Sequence, residues 1–339
     1  MAAMVVVNNP GDWEQVYEPL LHAAWHGWTP TDLIFPFFLF IAGATLTLSR
    51  SHASWPRLLR RTLLLIALGL MLNTFPFFRL DMIRIPGVLQ RIGICYFAAG
   101  IILRRTSSGA ALLTIVSALT FGYWALLMWV PPGAGDLSPA GNLGAHLDRA
   151  WLGGHLSNPD WDPEGLLSTI PAVATTLLGA VAGILLRSGG SPRRIVGTLL
   201  AGGVAGIVIG QVWDVAFPIN KNLWTSSYVF FTAGMAALVL AACYAAVDAW
   251  PSALSRAVAR PFVVLGTNAI LLYVLSSLIT RLLDVGSIGG VNAKARLYDA
   301  CCAPLASPIN ASLLFAIAYL ALLFIALVPL YRHRVFLRI

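Results

Sequence analysis

The sequence predicts an all-α polytopic bundle of integral membrane helices, and three observations carry that prediction. In 339 residues the hydrophobic set makes up 58% and charged residues 11%, against about 25% charged in an ordinary soluble domain. The apolar excess recurs along the whole chain in stretches near the roughly 20 residues a helix needs to cross the hydrocarbon core. Arginine and lysine are concentrated in alternate connecting loops, the pattern of a chain oriented in a bilayer. A cytosolic enzyme, a secreted disulfide scaffold and a disordered tail are excluded. One transmembrane domain over residues 1–339 is expected.

Met1 to Val7 is wholly apolar and stops at Asn8-Asn9-Pro10. It reads as the truncated end of a helix whose beginning is missing, since about 7 residues rise only about 10 Å. Nine full spans follow, approximately at 31–49, 57–74, 87–103, 109–130, 165–186, 195–213, 224–246, 261–280 and 310–330. One set of loops carries Arg50, Arg57, Arg60 and Arg61, then Arg104 and Arg105, then Arg187, Arg193 and Arg194, then Arg256 and Arg260, then Arg332, Arg334 and Arg338. These are 14 of the 22 basic residues, so that side is cytoplasmic and includes the C-terminus. The expected location is a bacterial inner membrane, with the long, chemically rich loops extracytoplasmic. The net charge of +8 is thus an orientation signal, and nucleic acid is not an expected partner.

The densest polar segment is His22-Ala-Ala-Trp25-His26-Gly-Trp-Thr-Pro-Thr-Asp32, which runs directly into the first span. A neutral imidazole is a natural general base or nucleophile for acyl transfer, and a carboxylate can fix its tautomer and stabilise the imidazolium. Thr29, Pro30 and Asp32 equally fit N-cap, N1 and N3 of a helix, so Asp32 also reads as one half of a capping box. No metal is expected, because His22 and His26 lack a further ligand motif.

In Arg84-Ile-Pro-Gly-Val-Leu-Gln90-Arg91, Pro86 suits a first helical turn and places Gln90 and Arg91 inside the membrane. A buried arginine needs an anionic partner: a cofactor phosphate or Asp32 on the functional reading, an interhelical ion pair on the structural one. Asp162-Pro-Glu164-Gly and Pro218-Ile-Asn220-Lys221-Asn222-Leu-Trp224 stand before spans, where free helix amides favour anions and polar ligands, or where they simply cap. Asn268 is either interhelical glue or a pocket donor. Cys301 and Cys302 are candidates for disulfides of undetermined pairing, and Cys95 and Cys243 read as packing residues. No P-loop, Gly-x-Ser-x-Gly elbow or dinucleotide fingerprint occurs.

Four blocks, at 22–40, 84–93, 162–170 and 218–228, resemble in order and content the catalytic membrane domain of the heparan-α-glucosaminide N-acetyltransferases and their bacterial relatives. The likeness extends over nearly the whole chain, to the basic tail at Tyr331 to Ile339. The family's Asp-x-x-Arg-Gly opening is absent. The resemblance implies an acetyltransferase that takes acetyl from cytoplasmic acetyl-CoA and delivers it to the amine of a glucosamine-type acceptor, here a cell-envelope amino sugar, across the membrane. By that resemblance His22 is the active-site histidine, Asp32 its acid and Asn8 an assisting asparagine. Arg84, Gln90, Arg91 and Asn268 are candidate donor-binding residues. Trp25, His26, Glu164, Asn220, Lys221, Asn222 and Trp224 are candidate acceptor-binding residues. The lipid bilayer is the constant partner, and a homodimer is left open. The competing class is a non-enzymatic transporter, or a protein that handles lipid or sugar, using the same intramembrane polar site; no inverted repeat or matched pair of broken helices supports it.

Overall fold

The computed structural model describes residues 1–49, 54–288 and 290–336; Arg50 and Arg338, two of the orienting arginines, lie outside them. Thirteen α-helices are described. They are α1 (Ala2–Asn8), α2 (Ile34–Leu48), α3 (Trp55–Thr74), α4 (Val88–Arg105), α5 (Gly109–Trp129), α6 (Leu143–Leu152), α7 (Thr169–Arg187), α8 (Pro192–Asp214), α9 (Ser226–Cys243), α10 (Ala253–Thr267), α11 (Ala269–Val285), α12 (Ala293–Cys301) and α13 (Pro308–Arg332). A two-stranded hairpin, β1 (Ser287–Ile288) with β2 (Val291–Asn292), is antiparallel and lies between α11 and α12.

Each of the nine expected spans is helical, but nine is not the number long and apolar enough to cross a membrane. Among the described residues six helices qualify, and a seventh if α10 and α11 count as one bent span. α3 and α4 fall short because each carries three arginines: Arg57, Arg60 and Arg61 in the first, Arg91, Arg104 and Arg105 in the second. The span expected at 261–280 is not continuous. It breaks at Asn268, where α10 and α11 meet at 71°. Gly266, Thr267 and Asn268 are all poor helix formers, which locates the weak point. The spans expected from 165 and 224 begin later, at Thr169 and Ser226, leaving their polar leaders as structured loops. α6 and α12 were not expected: at 10 and 9 residues they are far too short to span.

Lipid gives helices no hydrophobic reason to associate, so close packing depends on small residues. The interface of α2 with α7 shows this. A Cβ added at Gly43 would stand 1.8 Å from the carbonyl oxygen of Thr176, and one at Gly179 would stand 1.8 Å from that of Phe40. The two backbones therefore touch, and neither position admits a side chain. Gly179→Ala should force α2 away from α7, lowering the melting temperature of the detergent-solubilised protein by several degrees and disturbing the site that α2 begins. An unchanged melting curve would contradict this contact.

Of the apolar clusters among the described residues, two form the cores that flank the site. The larger joins α2, α4, α5, α7 and α9 through Leu39, Tyr96, Leu112, Leu177 and Tyr228, among others. The second joins α1, α10, α11 and α13 through Met4, Val5, Leu265, Leu272 and Leu323. Apolar residues such as Val212, Leu322 and Ile325 cover the outer surface, as a lipid-facing surface requires. The chain is a multi-pass membrane protein.

Candidate active site

The segment before α2 folds upon Asp32. Thr29 stands at the N-cap, Pro30 at N1 and Asp32 at N3 of a 3-10 turn, Pro30–Leu33, that leads into α2. One carboxylate oxygen, Oδ2, accepts the backbone N–H of Thr29 at 3.0 Å and of Ala23 at 3.0 Å. The other, Oδ1, accepts His22 Nδ1 at 2.6 Å. Asp32 is therefore both the cap of this turn and the hydrogen-bond partner of His22. Tyr228 donates its hydroxyl to the Asp32 carbonyl oxygen at 2.5 Å, which ties the turn to α9. With Nδ1–H committed to Asp32, the basic nitrogen of His22 is Nε2. The side chain of His22 is 50% exposed and that of Asp32 only 1%.

His22 and Asp32 open on a cavity of about 450 Å³ at the seam between the two cores, within the volume typical of small-molecule sites. Its apolar wall comes from Met4 and Val7 of α1, Phe35 and Phe38 of α2, Val88 of α4 and Tyr273 of α11. Its polar wall brings together Asn8, Trp25, Arg84, Glu164, Lys221 and Asn222 from segments far apart in sequence. Lys221 Nζ is 3.5 Å from Asp32 Oδ1, 3.0 Å from His22 Nδ1 and 3.2 Å from His22 Nε2. The two ring nitrogens point in divergent directions, so an ammonium nearly equidistant from both lies over the ring instead of on either lone pair. Nε2 therefore keeps its lone pair available. Burial pushes the Lys221 ammonium below its ordinary value, with the charges of Asp32 and Glu164 opposing.

Arg84 fixes the rim. Its Nε and Nη2 donate to Asp162 at 2.8 and 2.6 Å, and Nη2 also donates to Glu164. Asp162 further accepts the N–H groups of Ser157 and Glu164. Burial opposes the charge on Arg84, but its two carboxylate partners outweigh that and hold it above its ordinary value. Asp162 and Glu164 are thus bound to an arginine; they do not cap α7.

Of the other expected residues, several support the cavity from behind. Arg91 is fully buried but has no carboxylate bound, so the interhelical ion pair is not formed. Its Nη2 donates to the Gly165 carbonyl at 3.0 Å and to Ser168 Oγ at 2.5 Å, and its guanidinium lies 5.2 Å from the Trp224 ring. Trp224 is itself left-handed, with φ of 53°, a conformation that costs a non-glycine residue on the order of 1 kcal/mol or more. It is held there by Thr175 Oγ1 at 3.1 Å and by the edges of Phe35 and Tyr228. Asn220 is buried, accepts Leu223 N–H at 2.8 Å, and meets His26 Nδ1 at 3.4 Å. Gln90 bonds to the Ile85 carbonyl, and Asn268 to the Val335 carbonyl at the break between α10 and α11. Of the four residues expected on the donor, only Arg84 lines the cavity. Cys95, Cys243, Cys301 and Cys302 are unpaired, so the disulfide considered for the last two is not formed. Among the described residues no cluster has the makings of a metal site.

Three participants carried no sequence signal strong enough to single them out. Trp161 stacks edge-on to Trp25 at 5.1 Å and lines the cavity, Tyr273 closes its far side, and Asp148 lies behind the Asp162 loop. Only Trp161 had a hint, as an aromatic next to the Asp162-Pro-Glu164 block. Asp148, on α6, is 3% exposed and accepts Leu166 N–H at 2.9 Å. Burial, with help from Asp162, pushes its carboxyl up to about 6, above the roughly 3.9 of an unfolded aspartate. Folding therefore takes up a proton between those values, and the stability penalty of ionised Asp148 is absent at low pH and complete above about 6. Asp148→Asn keeps an acceptor for Leu166. It should raise the melting temperature by a few degrees near pH 8 and by less near pH 5; an equal effect at both would contradict the buried, titrating carboxyl.

The family described as "Heparan-alpha-glucosaminide N-acetyltransferase, catalytic" matches residues 1–201. The mouse protein named heparan-alpha-glucosaminide N-acetyltransferase is 32% identical over 350 residues, covering 81% of this chain and 51% of its own length. The human protein of the same name is 30% identical over 343 residues, covering 80% and 50%. The chain thus spans about half the length of the curated relatives it matches. The matched region holds the His22–Asp32 turn, Arg84, Arg91 and the Asp162–Glu164 rim, and by these matches the chain belongs to the heparan-α-glucosaminide N-acetyltransferase catalytic family.

Proposed function

We propose that this chain is an acetyltransferase of the membrane that moves acetyl from the thioester of acetyl-CoA to the amine of a glucosamine-type sugar at the His22 cavity. The observation that carries this reading is the Asp32–His22 pair at 2.6 Å, lining a cavity that also holds a lysine and a glutamate. Asp32 fixes the tautomer and offsets the charge of the imidazolium. Nε2 then either removes a proton from the attacking amine or attacks the acyl carbon itself. Asn8 and Asn222 offer amide donors at the cavity wall for an oxyanion. Trp25 and Trp161 present apolar faces suited to a sugar ring, and Glu164 offers a carboxylate to its ammonium. The donor supplies an activated acyl group. The residues of the cavity suit its acyl end more than its phosphates: of the two cations that line it, Arg84 is balanced by two carboxylates and Lys221 lies against Asp32 and His22.

Loop charge supports an orientation with this cavity extracytoplasmic and the ends of α2 and α3 near Ser54 cytoplasmic. In a variant lacking the native cysteines, an impermeant thiol reagent should label Ala23→Cys and not Ser54→Cys in intact cells. The reverse pattern would invert the orientation.

The bent pair α10 and α11 favours a second reading, since broken spans are a feature of transporters. One experiment separates the two. Purified protein given acetyl-CoA and glucosamine should release free thiol and form N-acetylglucosamine in equal amounts. Binding of glucosamine with neither product would favour the transporter.

A further inference from the structure

We propose that Lys221 is a self-acetylation site: with acetyl thioester present and no acceptor amine, the acetyl group handled by His22 passes to Lys221 Nζ and closes the site. This rests on the reading of His22 as the nitrogen that handles the acyl group. An acetyl group on Nε2 lies in the plane of the imidazole, conjugated with it, and its carbonyl carbon is open to a nucleophile only from the face of that plane. Lys221 Nζ stands over that face, 3.2 Å from Nε2, and an outward turn of its flexible side chain by about one bond length brings it to the roughly 3 to 3.5 Å from the acyl carbon that marks a near-attack arrangement. Among the described residues no other primary amine lines the cavity.

The chemistry balances without a further reactant. Nε2 attacks the thioester carbonyl, the C–S bond breaks, and the thiolate leaves; Nδ1–H remains on Asp32. The Lys221 amine then forms its bond to the acyl carbon, the C–Nε2 bond breaks, and the electron pair returns to the ring. The ammonium gives up two protons in all, one to the thiolate and one to solvent, so acetyl thioester and lysine ammonium become acetyl-lysine, free thiol and a proton. Two features set the rate. Asp32, 3.5 Å away, favours the unreactive ammonium, while burial favours the neutral amine. A sugar amine entering from the open side of the cavity is not so restrained, and it takes the acetyl group first whenever it is present. Once acetylated, Lys221 loses its charge and adds an amide over the imidazole face. The site is thereby limited when donor outlasts acceptor.

The test incubates the full-length purified protein with acetyl-CoA alone and maps acetylation by peptide mass spectrometry. One acetyl group per chain should accumulate on Lys221, and later transfer to glucosamine should slow in proportion. Glucosamine added together with the donor should protect. His22→Ala and Lys221→Arg, each confirmed monodisperse, should show no adduct at position 221. An unmodified Lys221 in a preparation that acetylates glucosamine would overturn the proposal and leave the transferase reading standing. Equal acetylation of Lys221 in His22→Ala would also overturn it, as direct reaction with the thioester. Acetylation of neither amine would overturn the transferase reading itself.

Discussion

His22→Ala is expected to lower acetyl transfer to glucosamine by about 10³-fold or more, the loss of a general base or nucleophile, while the protein stays in the membrane and monodisperse. The side chain is half exposed, and without it Asp32 still accepts the N–H groups of Ala23 and Thr29 and keeps Lys221 Nζ 3.5 Å away, so the fold should survive its removal. His26→Asn is expected to retain most activity. His26 meets Asn220 through one ring nitrogen at 3.4 Å and does not line the cavity, a positioning contact that an amide can replace. The check is N-acetylglucosamine formed per unit of protein, with thiol release measured alongside. Full activity in His22→Ala, or equal losses in the two variants, would remove the histidine mechanism.

Asp32→Asn is expected to lower turnover by about 10²-fold or more with a near-normal melting temperature. The asparagine oxygen can replace Oδ2 and go on accepting the N–H groups of Ala23 and Thr29, so the cap survives. Its NH₂ group then faces His22 Nδ1, where a carboxylate oxygen had accepted a proton. The ring answers by turning Nδ1 into the acceptor and carrying its proton on Nε2, the wrong tautomer for a base or nucleophile facing the cavity. Asp32→Ala should lose both cap and tautomer, costing on the order of 1 kcal/mol of stability as well as activity. If Asp32→Asn works normally and only Asp32→Ala is affected, through stability alone, the residue is a cap and nothing more.

What the sequence made legible is local. His22, Thr29 and Asp32 lie within one short segment, so imidazole, carboxylate and helix start could be related by spacing alone, and the structure joins them in one turn. The nine helical segments were legible for the same reason, because apolar runs of that length have few alternatives. Contacts made across the fold were not. Lys221 reaches His22 from 199 residues away, and nothing in Asn220-Lys221-Asn222 says that the lysine lies over that ring. Arg91 called for an anion by the usual cost of a buried charge, yet it is met by a carbonyl, a hydroxyl and the Trp224 face, a solution that depends on how α4, α7 and the 218–224 loop converge. Asn268 was visible as a polar residue in an apolar run. That it marks a break of 71° depends on packing against the segment after α13, where Val335 accepts its amide. α6 escaped notice because ten residues leave too short a hydrophobic period to separate from a loop.

The proposed transfer requires that one cavity pass acetyl from a donor on one side of the membrane to an amine on the other. Purified protein reconstituted into sealed vesicles, loaded with glucosamine and given acetyl-CoA outside, tests it most directly when the orientation with the His22 face inward is present. The expected result is N-acetylglucosamine inside the vesicles, an equal amount of free thiol outside, and neither with His22→Ala. Escape of unmodified glucosamine without thiol release, or product formed only outside, would contradict it.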